Sequence, residues 1–214
     1  MRDDLPTEFA RVVSCSRCTR AHSSKLLRDS SENVPQPGYV GRCYANTRLL
    51  LVGQNPGLCP SRFAERDAEY TRALRAVRDQ PDEPTFEHLR GVLERFVPSW
   101  PIHGSYFPLS ECGLQLEDIA YCNVVRCRTL GNAAPSTTVV AECVAAHFER
   151  WLDLLAPIAV VFLGTWAFRR GANAAAKRGI ASSYVNRDRS LNNELRARNR
   201  AEVVAFVRQH LAAA

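Results

Sequence analysis

The stretch "RLLLVGQNPG", Arg48 to Gly57, decides how the chain folds. Four apolar residues, Leu49 to Val52, run straight into Gly53-Gln54-Asn55-Pro56-Gly57. A continuous apolar run closed by glycine and proline reads as a buried strand feeding a tight loop. "DIAYCNVV" (118–125) and "IAVVFLG" (158–164) repeat the pattern and read as two more strands. Between them, "STTVVAECVAAHFERWLDLL" (136–155) reads as a helix, capped by Ser136 and ended before Pro157. Strands alternating with helices predict an α/β fold, a parallel sheet with helices on both faces. Ligands bind at the carboxyl ends of such strands, so the loops after Val52, Val125 and Gly164 are the expected site loops.

The 214 residues suit one domain over 1–214. Residues 60–95 are charged, helical in pattern and broken around Pro81 to Pro84, which reads as an inserted helical pair. Hydrophobic content is 46% and charged content 23%, ordinary for a globular chain. No run reaches the length of a membrane span, and "MRDDLPTEFA" lacks the apolar core of a signal peptide. The expectation is a monomeric protein of a bacterial-type cytoplasm, near the nucleoid, with no membrane partner.

The formal net charge is +6, and the excess gathers late: residues 169–208 hold ten Lys or Arg against three Asp or Glu. Such a segment attracts a polyanion, with nucleic acid the first candidate, or it is a solvated helical face. The part from Ile180 to Asn199 is polar and weakly patterned before a helical pattern resumes.

Eight cysteines stand at 15, 18, 43, 59, 112, 122, 127 and 143. In a reducing compartment they read as metal ligands or buried thiols in preference to disulfides. Cys15-x2-Cys18 is a tight pair; Cys127 and Cys143 are separated by fifteen residues.

Three segments taken together resemble the uracil-DNA glycosylase superfamily, in particular its iron–sulfur branch. They are "LLLVGQNPG", "DIAYCNVVRCRTLGNAAPSTTVVAEC", and the N-terminal Cys-x2-Cys followed by "SSKLLRDSSENVPQPGYVG". The resemblance implies a three-layer α/β/α sandwich on a central, mainly parallel four-stranded sheet. It implies hydrolysis of the N-glycosidic bond of uracil in DNA, or of another deaminated or 5-substituted base. The target nucleotide must then leave the stack to be reached. By the same resemblance Cys15, Cys18, Cys127 and Cys143 match four ligands of a [4Fe–4S] cluster, with zinc as the alternative.

Gln54 and Asn55 take the catalytic positions of that resemblance, beside the attacking water and the base. An amide orients water but neither takes its proton nor offsets a cation by charge, so a slower enzyme than the Asp-bearing relatives is implied. Both residues also suit a turn with no chemistry. Gly53 and Gly57 line the base site, and Gly57 stands where the fastest relatives carry a Tyr that blocks a 5-methyl group. Asn123 matches the base reader, because an amide fits the O4/N3–H edge of uracil. Phe96 reads equally as the aromatic that stacks on the base and as a core residue ending a helix. Trp100, Tyr106 and Phe107 compete for the stacking role. His22, His88, His147 and His210 read as ordinary helical or surface residues, whereas His103 lies near the expected pocket.

The C-terminal part departs from the pattern. Relatives carry His-Pro or Asn-Pro after the last strand; here no His lies between 148 and 209, and no Pro follows 157. One register puts Ala181 or Ser182 in the His place, and another puts Asn186 there. Tyr184, Asn186, Arg187 and Arg189 are the DNA-contact candidates, with Arg187 or Arg189 stabilising the leaving anion or wedging into the minor groove. No lysine sits in the expected pocket, against a Schiff-base mechanism. Two alternatives to the enzyme stay open: a member of the fold that binds uracil-containing, abasic or modified DNA without cleaving it, and a redox-sensing iron–sulfur module.

Overall fold

In the computed structural model, residues 4–19, 25–28, 33–100, 106–187 and 190–212 are described. In chain order the helices are α1 (Leu5–Val13), α2 (Tyr44–Thr47), α3 (Ala64–Asp79), α4 (Glu83–Phe96), α5 (Thr137–Cys143), α6 (Glu149–Leu155), α7 (Thr165–Ala176) and α8 (Asn193–Ala212). The strands are β1 (Leu26–Leu27), β2 (Tyr39–Val40), β3 (Leu49–Gly53), β4 (Ile119–Asn123), β5 (Arg128–Thr129), β6 (Ala159–Leu163) and β7 (Ala181–Val185). These elements fall into two interleaved compact units, one of residues 1–37, 55–99 and 125–150, the other of 38–54, 100–124 and 151–214.

The second unit carries the sheet, in the order β2-β4-β3-β6-β7. The last four strands are mutually parallel, and β2 adds a short antiparallel edge beside β4. The fold class is thus as expected, with five strands in place of four. Every residue of β3 and β6 is buried, which is why both read as unbroken apolar runs. Leu49, Leu51, Val161 and Leu163 face Val203 and Val207 of α8, together with Phe107, Leu109 and Leu114. On the opposite face Phe162 meets Phe168 of α7 edge-on, with ring centroids 5.7 Å apart, and Phe168 leans on Tyr184 at 4.8 Å. Helix, sheet and helix make three layers within this unit.

The strands β3 and β6 enter the sheet beside two residues in the left-handed region, Arg48 (φ 47°) and Ala156 (φ 43°). They are tied together. Arg48 Nε donates to the Ala156 carbonyl at 2.8 Å, and Ile158 N–H donates to the Arg48 carbonyl at 3.0 Å. Strand β7 was hidden in the polar stretch after Ile180; all five of its residues are half-buried, since it pairs on one side only, with β6.

The first unit is mostly helical. Tyr70, Ala73, Leu74 and Val77 of α3 and Phe86, Leu89, Leu93 and Phe96 of α4 recur at helical spacing and are buried. Asp82 caps α4 by accepting from Thr85 N–H at 2.9 Å, and Phe9 of α1 meets Phe86 edge-on with centroids 5.0 Å apart. Strands β1 and β5 pair antiparallel. Ser136 caps α5, accepting from Val139 N–H at 3.4 Å. The single helix expected over 136–155 is interrupted by a π turn, Val144–Phe148, between α5 and α6.

Candidate active site

In the second unit the parallel register puts Gly53 opposite Asn123, at the carboxyl ends of β3 and β4. Asn123 is 4% exposed, and its amide is held from within its own strand. Tyr121, two residues back and therefore on the same face, donates its hydroxyl to Asn123 Oδ1 at 2.8 Å. Gly53 is required beside this pair: a Cβ there would stand 2.6 Å from the Tyr121 hydroxyl and against Asn123 Oδ1. Trp100 packs on the Tyr121 ring with centroids 5.8 Å apart, and burial pushes the Tyr121 phenol above its ordinary range. Gln54 follows Gly53 at the strand end, half-buried.

Val185 pairs with Leu163, so the residues that follow β7 leave from the same carboxyl edge as Gly53 and Asn123. Asn186 is anchored there by its backbone N–H, which donates to Asn199 Oδ1 at 2.7 Å, while Asn199 Nδ2 donates to the Tyr184 carbonyl at 3.3 Å. The Arg187 guanidinium lies over the Tyr106 ring, 3.4 Å from its centroid. Tyr184 itself is turned to α7 through Phe168. Arg189 and His103 lie outside the described residues.

In the first unit Asn55 donates through Nδ2 to the Pro56 carbonyl and to Thr129 Oγ1, each at 3.2 Å. Thr129 follows Arg128, whose guanidinium makes a two-pronged ion pair with Asp67 (one contact 2.7 Å); both side chains are nearly buried. The loop after it is pinned by Asn132, whose Oδ1 accepts from Leu58 N–H at 2.8 Å. Gly57 is open: a Cβ placed there would come no nearer than 3.8 Å to any neighbour, so its lack of a side chain leaves free space. Phe96 has the core place: it is 4% exposed and its ring leans on Tyr70 at 5.8 Å. Of the two readings of Phe96, stacking on a base is therefore the one that its burial at the end of α4 disfavours.

Also in this unit, Cys15, Cys18, Cys127 and Cys143 line one recess, with Arg17, Arg126, Glu142 and His147. Arg126 backbone N–H donates to Cys143 Sγ at 3.3 Å. Burial pushes the Cys143 thiol up to about 12 against the opposing pull of Arg126, and burial together with Cys143 pushes Cys127 further. Bare thiolates are thus disfavoured, as at buried thiols in general. Among the described residues no three His, Cys, Asp or Glu side chains are spaced to share one metal ion. His147 departs from the ordinary helical histidine expected of it. It is 2% exposed, neither ring nitrogen has a hydrogen-bond partner among the described residues, and burial pushes its imidazole down to about 3.

The family model described as the uracil DNA glycosylase superfamily matches residues 40–210. The chain belongs to that superfamily. No curated protein matches it. Ala181 and Ser182 pair with Ala159 and Val160 at the amino ends of the strands, away from the carboxyl ends that carry Gly53 and Asn123. Asn186 and Arg187 stand past the carboxyl end of β7. Among the described residues no helix is long and apolar enough to cross a membrane.

Proposed function

We propose that the chain is a monofunctional DNA glycosylase that hydrolyses the N-glycosidic bond of deoxyuridine and leaves an abasic site. The observation that carries this reading is the Asn123 amide at the carboxyl end of β4, oriented by the Tyr121 hydroxyl and cleared by Gly53. With Oδ1 fixed by a phenol, Nδ2 is left to donate to uracil O4, while the second lone pair of Oδ1 accepts from N3–H. Cytosine offers the reversed pattern and meets a mismatch. Trp100 and Tyr106 are the aromatic faces near this amide, in place of Phe96.

The bond to C1′ breaks with its electron pair leaving on the base, giving a sugar cation and a uracil anion. Gln54 orients the water that adds to C1′, and the proton lost by that water passes to the departing base. No side-chain carboxylate is needed for the balance to close, but none helps, and the rate suffers accordingly. Arg187 supplies positive charge for the anion. The chain's only lysines are Lys25 and Lys177, and neither is among the residues that this mechanism uses, in keeping with hydrolysis without a lyase step.

Cys15, Cys18, Cys127 and Cys143 are the residues that would hold a [4Fe–4S] cluster. Four thiols around one recess are the donor set it needs, each thiolate on an iron of its own. Zinc is the alternative and would take the same four thiolates. When bound, the cluster ties the N-terminal segment to β5 and α5 and takes no part in the hydrolysis.

The test is cleavage of a uracil-containing oligonucleotide, single-stranded and opposite guanine or adenine, by the wild type and Asn123→Ala. Alkali-labile breaks that vanish in the variant support the reading. DNA binding without breaks would instead favour the non-cleaving member of the fold, the reading that Asn55 and the His-free C-terminal segment leave open.

A further inference from the structure

His147 lies four residues after Cys143, inside the π turn Val144–Phe148. Residues four apart share one face of a helix, and π turns occur frequently at functional sites. The imidazole lines the recess of Cys15, Cys18, Cys127 and Cys143 and is almost wholly buried. Among the described residues it has no partner at Nδ1 or at Nε2. A buried polar group left unsatisfied is destabilising, and such a group calls for an explanation. An ordinary core histidine would have found a carbonyl or hydroxyl. This one lines a recess that four thiols share.

We infer that His147 donates an N–H hydrogen bond to a sulfur atom of the cluster held in this recess and so raises its reduction potential. The inference rests on the cluster assignment made under Proposed function. Whatever its protonation state, an imidazole carries at least one N–H. The recess already directs one donor at sulfur, the Arg126 backbone N–H on Cys143. A second donor adds to it in the same sense. Hydrogen bonds to cluster and thiolate sulfurs favour the reduced state, which holds the extra negative charge, so each donor moves the potential upward. His147 is in this sense a positioning and tuning residue, not a catalytic one.

The experiment uses the full chain, purified anaerobically as wild type, His147→Leu and His147→Gln. Iron and sulfide per chain are measured first, and then the reduction potential by a dye-equilibrated titration followed by electron paramagnetic resonance. The expected result is a full cluster in the wild type, a potential shifted to more negative values in His147→Leu, and a smaller shift in His147→Gln, whose amide can still donate. Equal potentials in wild type and His147→Leu, both fully loaded, overturn the inference while leaving the cluster intact. A wild type with no iron and sulfide overturns the cluster assignment, and this inference with it. Should His147→Leu fail to load, pulsed resonance on reduced wild-type chain labelled with 15N-histidine decides without a variant. A weak 15N coupling supports the hydrogen bond; no coupling, or the strong coupling of a direct iron–nitrogen bond, overturns it.

Discussion

Removing one oxygen from Tyr121 tests whether the Asn123 amide is held as described. In Tyr121→Phe the ring stays against Trp100, and only the donor to Asn123 Oδ1, at 2.8 Å, is lost. Asn123 is 4% exposed, so its carbonyl oxygen is left without that donor in a place that water reaches poorly. The expected loss is about 1–3 kcal/mol, the usual penalty for stranding a buried acceptor. At roughly 2–4 °C per kcal/mol for a chain of this size, that lowers Tm by roughly 2–12 °C. Taking away both partners is milder than stranding one, so Tyr121→Phe combined with Asn123→Ala should cost less than the sum of the two. Urea unfolding of the four proteins gives the coupling energy directly. A coupling within about 0.5 kcal/mol of zero would refute the claim that these side chains act as a unit. Gly53→Ala should disturb the same bond from the other side, and its effect should shrink in the Tyr121→Phe background.

Asp67→Ala strands the nearly buried Arg128 guanidinium and should cost about 3–5 kcal/mol in urea unfolding, whereas Asp67→Leu with Arg128→Met should cost clearly less. Because Thr129 adjoins Arg128 and accepts from Asn55, uracil cleavage by Asp67→Ala should also fall below the wild-type rate at temperatures where it is still folded. The Asp82 carboxyl is held below the ordinary carboxylate range by hydrogen bonds from Thr85 and from Gln80. It therefore contributes stability above about pH 4 that is lost as pH falls through its lower folded value. Asp82→Asn keeps a cap but not this charge, so the stability gap from wild type should close on acidification, read from unfolding midpoints across pH. Cys143→Ala and Cys18→Ala should each lower the iron and sulfide retained after anaerobic purification to a small fraction of the wild-type amount.

The strands β3 and β6 were legible because burial on both faces leaves no polar residue inside an apolar run, and β4 because its residues before Asn123 are apolar or aromatic. Strand β7 was not, since an edge strand half-buried throughout tolerates Ala181-Ser182-Ser183, which reads as loop. Its register puts Ala181 and Ser182 at the amino ends of the strands and Asn186 past the carboxyl end, a placement that spacing alone did not give. The π turn in the helix after Ser136 left no mark on a periodicity judged over many residues. Asn123 stood out as an amide inside an apolar strand, but its partner did not. A period of two would have pointed to Tyr121, as a spacing of four from Cys143 would have pointed to His147. Phe96 shows the converse: its distance from Asn123 fitted a stacking aromatic, while the helical pair it ends needed it in the core.

The paired left-handed residues Arg48 and Ala156 bear on how the protein can be engineered. They lie where β3 and β6 begin, at the opposite edge of the sheet from Gly53, Asn123 and Asn186. A non-glycine residue in that conformation is strained by roughly 1–2 kcal/mol, and glycine is not. Ala156 contributes only its carbonyl to the bridge with Arg48, and glycine has the same carbonyl. Ala156→Gly relieves the strain and keeps the bridge, whereas Arg48→Gly would relieve strain and sever it. Thermal tolerance can thus be raised at the amino edge of the strands without touching Gly53, Asn123 or Asn186.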